Sequence, residues 1–483
     1  MSLLRQIAHN TALQFSGKII GTAIGFVVAL LTIRYLGDEG YGNMTTAISF
    51  VQLFAIVMDL GLYVVLLKQI NSPANADGRL QNNIFSFRAV TAVAFLLIAS
   101  GTVWLIPQYP VIVQWGVVVI AANFFFITMN QLWQAIFQQH FAMGWVALAE
   151  VASKLVLVLS TVSVIYLFKT NVLYILAAIV VAGGMQSLVL WLASRRYTKL
   201  HWAFDWVIWK KVLRESWPIA IAIAFNLIYF KSDTIILSFF HAQAIVGVYG
   251  VPYKMLEVLI TVPAMLVGLL MPVLSQRFQQ HDHTNFVTLY QRAINLLWIM
   301  AAPLVVGGWF LAQPLMLVLA GEQFTDNPAI LGQLFRILIL AVAAIYVGTL
   351  TGYVVVVINK QRAIIGGYAF VAVTALAGYL WLIPTYSYFG AAWVTVYSEL
   401  MMVIISLWII YRATQALPAW LDLGRITLAT IIMGIGVYYM QTWPLLLVII
   451  AGGLLYGGAL LVLKGITVDE LKTTLWKEKT SSF

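Results

Sequence analysis

The sequence predicts an all-α integral membrane protein with about 14 transmembrane helices. They are expected to form two six-helix lobes around a central cavity, followed by two C-terminal helices. Three observations predict this fold. The 483 residues are 62% hydrophobic and only 9% charged, whereas a soluble domain has about 25% charged residues. Long apolar runs follow one another along the whole chain, and two short motifs recur about one six-helix lobe apart.

The apolar runs are long enough to cross a bilayer core, which requires roughly 20 residues per helix. The polar breaks between them are too short to form an extramembrane domain. Helices are expected because backbone polar groups must be paired inside hydrocarbon, and the runs lack the alternation of barrel strands. The predicted spans are 11–34, 42–67, 84–106, 113–138, 144–168, 172–193, 216–240, 244–275, 288–311, 330–358, 363–383, 388–411, 424–441 and 444–463.

The basic residues predict the orientation of these spans. With a cytoplasmic N-terminus, 20 of the 27 Lys and Arg residues, Arg88 among them, lie in or beside cytoplasmic segments. Only Arg34 and Lys169 lie on the outer side. This asymmetry predicts a multi-pass protein of the cytoplasmic membrane of a bacterium or archaeon, with both termini cytoplasmic. The net charge of +10 therefore reflects topology, and no nucleic-acid partner is expected.

Two internal echoes divide the chain into halves. Segment 138–144 before the fifth span resembles segment 359–366 before the eleventh. Segment 34–42 joins the first two spans and segment 241–250 joins the seventh and eighth, with Tyr41 and Tyr249 at matching positions. An even number of spans separates them, so both halves keep one orientation and are related by an axis along the membrane normal. The predicted organisation is an N-terminal lobe (1–194), a cytoplasmic amphipathic connector (195–215), a C-terminal lobe (216–412), and helices 13 and 14 with a cytoplasmic tail (413–483).

The connector predicts a helix that lies on the inner leaflet. Trp202, Trp206, Trp209 and Leu213 share one helical face, and the basic residues lie elsewhere. Aromatic residues on one face and cations on another are typical of interfacial helices that contact anionic lipid.

Three segments together resemble a known family. They are 34–42 with its Gly40-Tyr41-Gly42, Asp233 followed by Val-Gly-Val-Tyr-Gly at 246–250, and 383–395. Across residues 5–465 the chain resembles the Wzx-type oligosaccharide flippases, in the polysaccharide-transporter branch of the multidrug/oligosaccharidyl-lipid/polysaccharide (MOP) exporter superfamily. The resemblance implies a MATE-like fold with a lateral-opening cavity. It also implies the transfer of an undecaprenyl-diphosphate-linked oligosaccharide, as in O-antigen synthesis, from the inner to the outer leaflet. The partners it implies are that substrate, membrane lipids and polysaccharide polymerase or assembly proteins.

Charged residues inside the predicted spans point to a polar cavity. Each costs roughly 2.5–3.5 kcal/mol at the bilayer centre, so they are expected to pair or to face water. Five cations are candidate ligands for the diphosphate of a lipid carrier: Lys18, Lys231, Arg336, Lys254 and Lys154. Four acids are candidates for a coupling H⁺ or Na⁺ or for ion pairs: Asp233, Glu150, Asp59 and Glu257. A further acid, Glu399, also lies inside a span.

Helical spacing predicts which of these charges pair locally. Glu150 with Lys154, and Lys254 with Glu257, are spaced for contact on one helix face. Lys231 and Asp233 are two residues apart and are not expected to pair well. Lys18 and Arg336 have no acid within a turn, and together with Lys231 they are the main candidates for ligand contact. The alternative is an interhelical ion pair, or for Lys18 an ammonium that extends to the inner surface.

The fourth span carries amides near one face, Asn123, Asn130 and Gln134, with Trp133 close by. Amides and aromatic rings suit a sugar ligand, although amides equally hold membrane helices together. In the first span, Gly17, Gly21 and Gly25 at four-residue spacing predict close packing against another helix.

No enzyme activity and no cofactor are expected. The chain has no cysteine and no glycine-rich phosphate loop, and its one dense polar group, His281-Asp282-His283, is predicted to be solvated rather than a metal site. The alternatives within the superfamily are a multidrug cation antiporter and a flippase for peptidoglycan or teichoic-type precursors. A major-facilitator carrier and a membrane glycosyltransferase, polymerase or ligase fit the pattern less well.

Overall fold

The computed structural model describes residues 3–59, 78–168, 171–198 and 200–465, and these ranges are mostly helical, with no strand among them. The helices are α1 Leu3–Asp59, α2 Arg79–Thr102, α3 Val111–Gln139, α4 Gly144–Leu167, α5 Val172–Ser194, α6 Trp206–Phe240, α7 Gln243–Leu259, α8 Thr261–Gln279, α9 His283–Phe310, α10 Ala312–Ala320, α11 Ala329–Val357, α12 Gln361–Thr414, α13 Trp420–Tyr439 and α14 Leu445–Val462. A 3₁₀ turn, Val103–Leu105, extends α2.

Twelve segments of the described chain are long and apolar enough to cross a membrane. Two of them each contain two predicted spans. Helix α1 is interrupted at Gly37, whose φ of 66° lies in the left-handed region, and α12 is interrupted at Ser387 with φ of 52°. Glycine adopts such a φ without strain, so Gly37 marks the turn between the first two spans. When each of these two segments is counted as two spans, the number of spans in the described chain equals the 14 that the sequence predicts.

Two predicted elements differ from the structure. The eighth span is two helices, α7 and α8, that meet at Ile260. Pro263 has no backbone N–H to continue the ladder across this point, which explains the break. The connector does not form a separate interfacial helix. Asp205 caps α6 by accepting hydrogen bonds from the Val207 and Ile208 N–H groups, and α6 then continues unbroken to Phe240. Trp202 precedes this helix.

The first of two compact units comprises Met1–Gly250, Gln323–Asp326 and Ala372–Ala391. Within it α1 packs against α2 to α6, and α5 packs against α3 and α4. The predicted glycine face of α1 is confirmed, because a Cβ on Gly17 would lie 2.7 Å from that of Ala147 on α4. One part of the core is formed by buried aliphatic and aromatic side chains that include Ile84, Leu132, Ile136, Phe137 and Leu190.

The second unit comprises Val251–Glu322, Asn327–Val371 and Ala392–Phe483. Helix α9 packs against α8, α11 and α13, and α13 packs against α14. The Tyr456 hydroxyl donates to the Ile299 carbonyl at 2.7 Å and so ties α14 to α9. Met433, Val437 and Val448 lie in the core between these last helices.

Candidate functional site

A buried charged network lies near the end of α6 and on α7. Asp233 is fully buried and Lys231 is 9% exposed. The Asp233 carboxylate accepts a hydrogen bond from the Tyr249 hydroxyl at 2.6 Å and another from the Thr234 backbone N–H at 2.6 Å. Lys231 lies two residues before Asp233 on α6, and its ammonium is 5.4 Å from the centre of the Phe230 ring. That Lys231 and Asp233 pair poorly stays a prediction.

The two echo segments contact each other backbone to backbone, at a place we call the glycine junction (Asp38, Gly42, Gln243 and Gly247). A Cβ on Gly42 would lie 1.8 Å from the Gln243 carbonyl oxygen, and one on Gly247 would lie 1.9 Å from the Asp38 carbonyl oxygen. The Thr46 hydroxyl donates to the Gln243 side-chain oxygen at 2.6 Å. Only glycine fits at positions 42 and 247, since any side chain there would displace backbone.

The junction and the charged network share helix α7. Tyr249, which donates to Asp233, lies two residues beyond Gly247 and is fully buried. One helical turn further along the contact, a Cβ on Gly250 would lie 3.0 Å from the Tyr41 ring. A movement of α7 against α1 would therefore disturb the hydrogen bond that holds the Asp233 carboxylate.

A second charged group lies between α1 and α4. The Lys18 ammonium is 3.6 Å from the Glu150 carboxylate, and their side chains are 50% and 18% exposed. The interhelical ion pair that the sequence left open for Lys18 is thus observed, and the Glu150–Lys154 pair stays a prediction. Gly21 and Gly25 make room for these side chains, because their α-carbons face Glu150 and Lys154.

The remaining candidate cations lie in the second unit. Arg336 donates from Nε to the Trp309 carbonyl at 3.1 Å, in the last turn of α9. A cation at that place compensates the carbonyl end of the helix. Lys254 pairs with Glu257 at 3.0 Å, as their spacing predicts. A diphosphate contact by either cation stays a prediction.

The amides of the fourth span mainly join helices. The Ser187 hydroxyl of α5 donates to the Asn130 side chain at 2.6 Å. Asn123 lies against Gly183 of α5, where a Cβ would come within 2.2 Å of its side-chain oxygen. Gln134 is half-buried, and Trp133 lines a cavity described below. The side chain of Asp59 lies outside the described residues.

Two charged residues that the sequence did not identify as candidate site residues are buried in the structure. Arg88, grouped above with the cytoplasmic cations, is fully buried, and its guanidinium donates to the Gln131 side chain of α3. Its position inside the predicted span 84–106 is the signal that could have identified it. Glu399 is 7% exposed and lies near Tyr368, close enough for electrostatic interaction.

The polar group at 281–283 has structural contacts. Asp282 caps α9 by accepting a hydrogen bond from the Asn285 backbone N–H at 3.3 Å, and it also bonds to Arg277. His283 Nε2 lies 2.7 Å from the Thr414 carbonyl oxygen. In the described residues, no group of three or more His, Asp or Glu side chains is arranged to hold a metal ion.

Residues 7–278, which carry the charged network and the glycine junction, match the family model described as polysaccharide biosynthesis protein. The match covers more than half of the 483 residues. The chain belongs to this polysaccharide biosynthesis protein family. Both echo segments, 34–42 and 241–250, lie within the matched region.

Similarity to a relative extends over nearly the whole chain. The probable flippase AglR of Haloferax volcanii is 22% identical to this polysaccharide biosynthesis protein over 490 residues, which cover 95% of this chain and 96% of AglR. The similarity therefore extends through both compact units.

Solved structures share the fold. The lipid II flippase MurJ in an inward closed conformation superposes with a TM-score of 0.77 at 14% identity, covering 97% of this chain and 99% of MurJ. An inward-facing multidrug resistance MATE transporter gives 0.68 at 14% identity, covering 84% and 98%. A MOP superfamily transporter from Pyrococcus furiosus gives 0.63 at 14% identity, covering 85% and 96%. Identities this low show a common fold.

These findings confirm the predicted fold class and the resemblance to the MOP superfamily. Within its described residues, this member of the polysaccharide biosynthesis protein family has 12 segments long and apolar enough to cross a membrane. AglR is named a probable flippase and MurJ a lipid II flippase.

Proposed function

We propose that the protein moves an undecaprenyl-diphosphate-linked oligosaccharide from the inner to the outer leaflet of the cytoplasmic membrane by alternating access. The observation that carries this proposal is the buried Lys231–Asp233–Tyr249 network beside the glycine junction. It combines a buried cation with a contact between α1 and α7 in which backbone meets backbone, so few side chains must separate when the two helices move apart. An anionic substrate and a moving helix need these two features together.

Lys231 is the proposed ligand of the diphosphate. The Asp233 carboxylate lies two residues away on the same helix, and its negative charge acts on this buried ammonium. An arriving diphosphate replaces that carboxylate as counter-ion, through charge-assisted hydrogen bonds that are strong where water is excluded. Asp233 is then the natural acceptor for a coupling H⁺ or Na⁺, since loss of the lysine leaves its buried charge uncompensated.

Lys18, Glu150 and Lys154 are proposed to receive the headgroup first. They lie near the predicted cytoplasmic ends of α1 and α4, and the Lys18 side chain is half exposed. Two cations and one carboxylate leave an excess positive charge that attracts a diphosphate. The Lys18–Glu150 distance of 3.6 Å is that of a loose pair, which a doubly charged ligand can displace.

The glycine junction is proposed to close the outer side. The predicted topology puts segments 34–42 and 241–250 at the outer ends of their spans, so the backbone contact between them blocks exit on that side. Parting the two segments releases the substrate outward. Because Tyr249 lies on the same helix as Gly247, this movement also changes the hydrogen bonding of Asp233.

The membrane potential favours outward movement of the substrate. With the interior negative, each negative charge that crosses gains about 2.3 kcal/mol per 100 mV. The return of the empty carrier is the step for which a coupling ion at Asp233 or Glu150 is proposed. The relatives support a lipid-linked substrate, because AglR is named a probable flippase and MurJ a lipid II flippase. Polysaccharide polymerase or assembly proteins are the proposed partners of the delivered product.

Transport in liposomes by the purified full chain tests the proposal. The substrate is a fluorescent polyprenyl-diphosphate oligosaccharide, and the readout is the fraction that an added reagent can reach on the far leaflet. We expect Lys231→Ala to lower the initial rate at least about tenfold. Burying a headgroup charge without a counter-charge costs more than about 1.4 kcal/mol, which corresponds to a factor of ten. Lys231→Arg should recover part of the rate. Lys360→Ala, which removes an exposed loop cation, should have no effect.

Two results would overturn the proposal. One is full transport by Lys231→Ala. The other is transport of cationic dyes without transport of the lipid-linked sugar, which would identify the multidrug antiporter alternative. Comparing oligosaccharide carriers with a peptidoglycan precursor in the same assay separates the remaining flippase classes.

A further inference from the structure

A separate cavity lies inside the first unit, between α2, α3 and α5. Its volume is about 640 Å³, within the range of small-molecule sites. It takes no part in the charged network or the glycine junction. Its walls are Phe85, Ala89, Phe125, Phe126, Met129, Trp133, Ser187, Trp191, Ser194, Arg195, Thr198, Leu200, His201 and Trp202.

The two ends of this cavity differ in polarity. Phe125, Phe126 and Met129 come from the middle of α3 and form an apolar end. Arg195 and His201 come from the segment that follows α5 and form a polar end. In the predicted topology the polar end lies at the cytoplasmic surface and the apolar end lies deeper in the inner leaflet. An occupant must therefore be amphipathic, with its polar part at the surface.

The wall at the polar end is fixed in place by α2. The backbone N–H groups of His201, Ala203 and Asp205 donate to the side chains of Asn82, Ser86 and Asn83, at 3.1, 2.9 and 2.7 Å. Between these hydrogen bonds the Trp202 ring packs edge-on against Phe85, with centroids 5.5 Å apart. These hydrogen bonds hold the segment before α6 in place along the cavity. Its backbone N–H groups are bonded to α2, which explains why the segment is not helical.

The charge at the polar end suits an anion. The Arg195 guanidinium lies 3.8 Å from the centre of the Trp191 ring. The ring holds the guanidinium in place but does not neutralise it, so its N–H groups keep their preference for a phosphate. Nearby cations add to the positive field, since Lys210, Lys211 and Arg214 outnumber the acids Asp205 and Glu215 in the same segment.

Aromatic exposure at the rim suits a lipid. Trp191 is 42% exposed and Trp202 is 70% exposed. Tryptophan prefers the level of the lipid headgroups, where its ring lies in a partly apolar environment. A soluble anion such as free phosphate would make no use of these rings or of the apolar end.

We propose that this cavity binds an anionic phospholipid of the inner leaflet. Arg195 and His201 contact the headgroup phosphate, and an acyl chain lies against Phe125, Phe126 and Met129. The bound lipid fills the space between α2, α3 and α5. This inference is independent of which substrate the protein carries.

Native mass spectrometry of the full chain released from nanodiscs tests the inference. The nanodiscs contain equal parts of phosphatidylglycerol and phosphatidylcholine. We expect one phosphatidylglycerol to be retained in preference to phosphatidylcholine, and Arg195→Gln to weaken this retention about tenfold. Arg196→Gln is the matched control, because Arg196 lies over the Trp145 ring at 5.4 Å and does not line the cavity. Its retention should stay within about twofold of the wild type.

Any one of the following four results would overturn the inference. Equal loss in both arginine variants would mean diffuse attraction to a basic surface. Equal retention of both lipids would mean that the headgroup is not recognised. Displacement of phosphatidylglycerol by inorganic phosphate at similar concentration would mean a simple anion site. Stronger retention of a polyprenyl-diphosphate sugar would make the cavity a substrate site. Thermal melts of both variants show whether either one has lost its fold.

Discussion

Glycines of the glycine junction in the first unit are tightly packed, whereas glycines of the last helix in the second unit have open surroundings. At the junction, a Cβ on Gly42 or Gly247 would lie within 2 Å of a neighbouring carbonyl oxygen. In α14, Gly453, Gly457 and Gly458 have nothing within 4 Å of the position of a Cβ. Within these helices a glycine is therefore required where another backbone comes close, and not where its surroundings are open. Glycine frequency along a membrane helix does not reveal this.

Charged residues show the same contrast. In the first unit Asp233 is fully buried and is held by Tyr249, Thr234 and the charge of Lys231. In the second unit Lys254 and Glu257 form a pair at 3.0 Å with side chains 38% and 31% exposed. A buried charge loses much more when its counter-charge is removed than an exposed one does.

The largest effect is expected from Gly247→Ala. The added methyl group would lie 1.9 Å from the Asp38 carbonyl oxygen, so backbone must move. Overpacking of this kind costs about 1–3 kcal/mol, and at a backbone contact the upper value is expected. Transport should fall to background and the melting temperature should drop. Gly453→Ala is the control and should keep both near wild type, and an equal loss there would remove the distinction between the two regions.

The next effect is expected from Asp233→Asn. The amide keeps the size of the side chain but removes its charge, so the buried hydrogen bonds from the Tyr249 hydroxyl and the Thr234 N–H lose their charged acceptor. Hydrogen bonds to charged groups contribute about 1.5–3 kcal/mol, of which the neutral amide keeps a part. Glu257→Gln, in the exposed pair, should cost less than about 1 kcal/mol. Thermal melts of the two variants in one detergent measure the difference, and similar values would contradict it.

A smaller effect is expected at the Lys18–Glu150 pair. Exposed ion pairs contribute about 0.2–1 kcal/mol, and the 3.6 Å distance is long. A double-mutant cycle with Lys18→Gln and Glu150→Gln should therefore give a small coupling energy in stability. Transport by the single variants should fall much more than stability does. If stability and transport fell in proportion, the pair would serve structure alone.

The smallest effect is expected from Asp282→Ala, at the exposed start of α9. The hydrogen bond from the Asn285 side chain, with lesser help from its backbone N–H and from Arg277, holds the pKa of Asp282 below its usual value. A lowered pKa means that Asp282 stabilises the fold at pH values above its unfolded-state pKa of about 3.9. This contribution is lost as the pH falls through the lower pKa of the folded state. Thermal melts should separate the variant slightly from wild type at pH 7 and should converge in acid.

Local pattern was enough to predict much of this structure. Apolar run length predicted the spans, three-residue spacing predicted the Lys254–Glu257 pair, and four-residue spacing predicted the close approach at Gly17. These features depend on neighbours within one or two helical turns. The amphipathic pattern of the connector failed because side-chain hydrogen bonds from α2 hold the segment at Trp202 in a non-helical form.

Contacts between distant parts of the chain could not be predicted in this way. The Lys18–Glu150 pair joins helices that lie far apart in sequence, and the contact of Arg88 with Gln131 joins residues 43 positions apart on consecutive helices. The echo of Tyr41 and Tyr249 did indicate two halves, but nothing in it indicated that the echo segments contact each other. The close packing at Gly42 and Gly247 follows from tertiary structure alone.

Reversible cross-linking of the glycine junction tests the central claim most directly. The chain has no cysteine, so Thr46→Cys with Gln243→Cys, whose native side chains hydrogen-bond at 2.6 Å, can be joined by a short reductant-cleavable reagent. A matched pair, Asn295→Cys with Asp422→Cys, replaces a 3.1 Å contact inside the second unit. Cross-linking at the junction should stop transport of the lipid-linked sugar and reduction should restore it, while the matched pair transports in both states. Transport that continues with the junction joined would show that these segments do not part, and would contradict the proposed mechanism.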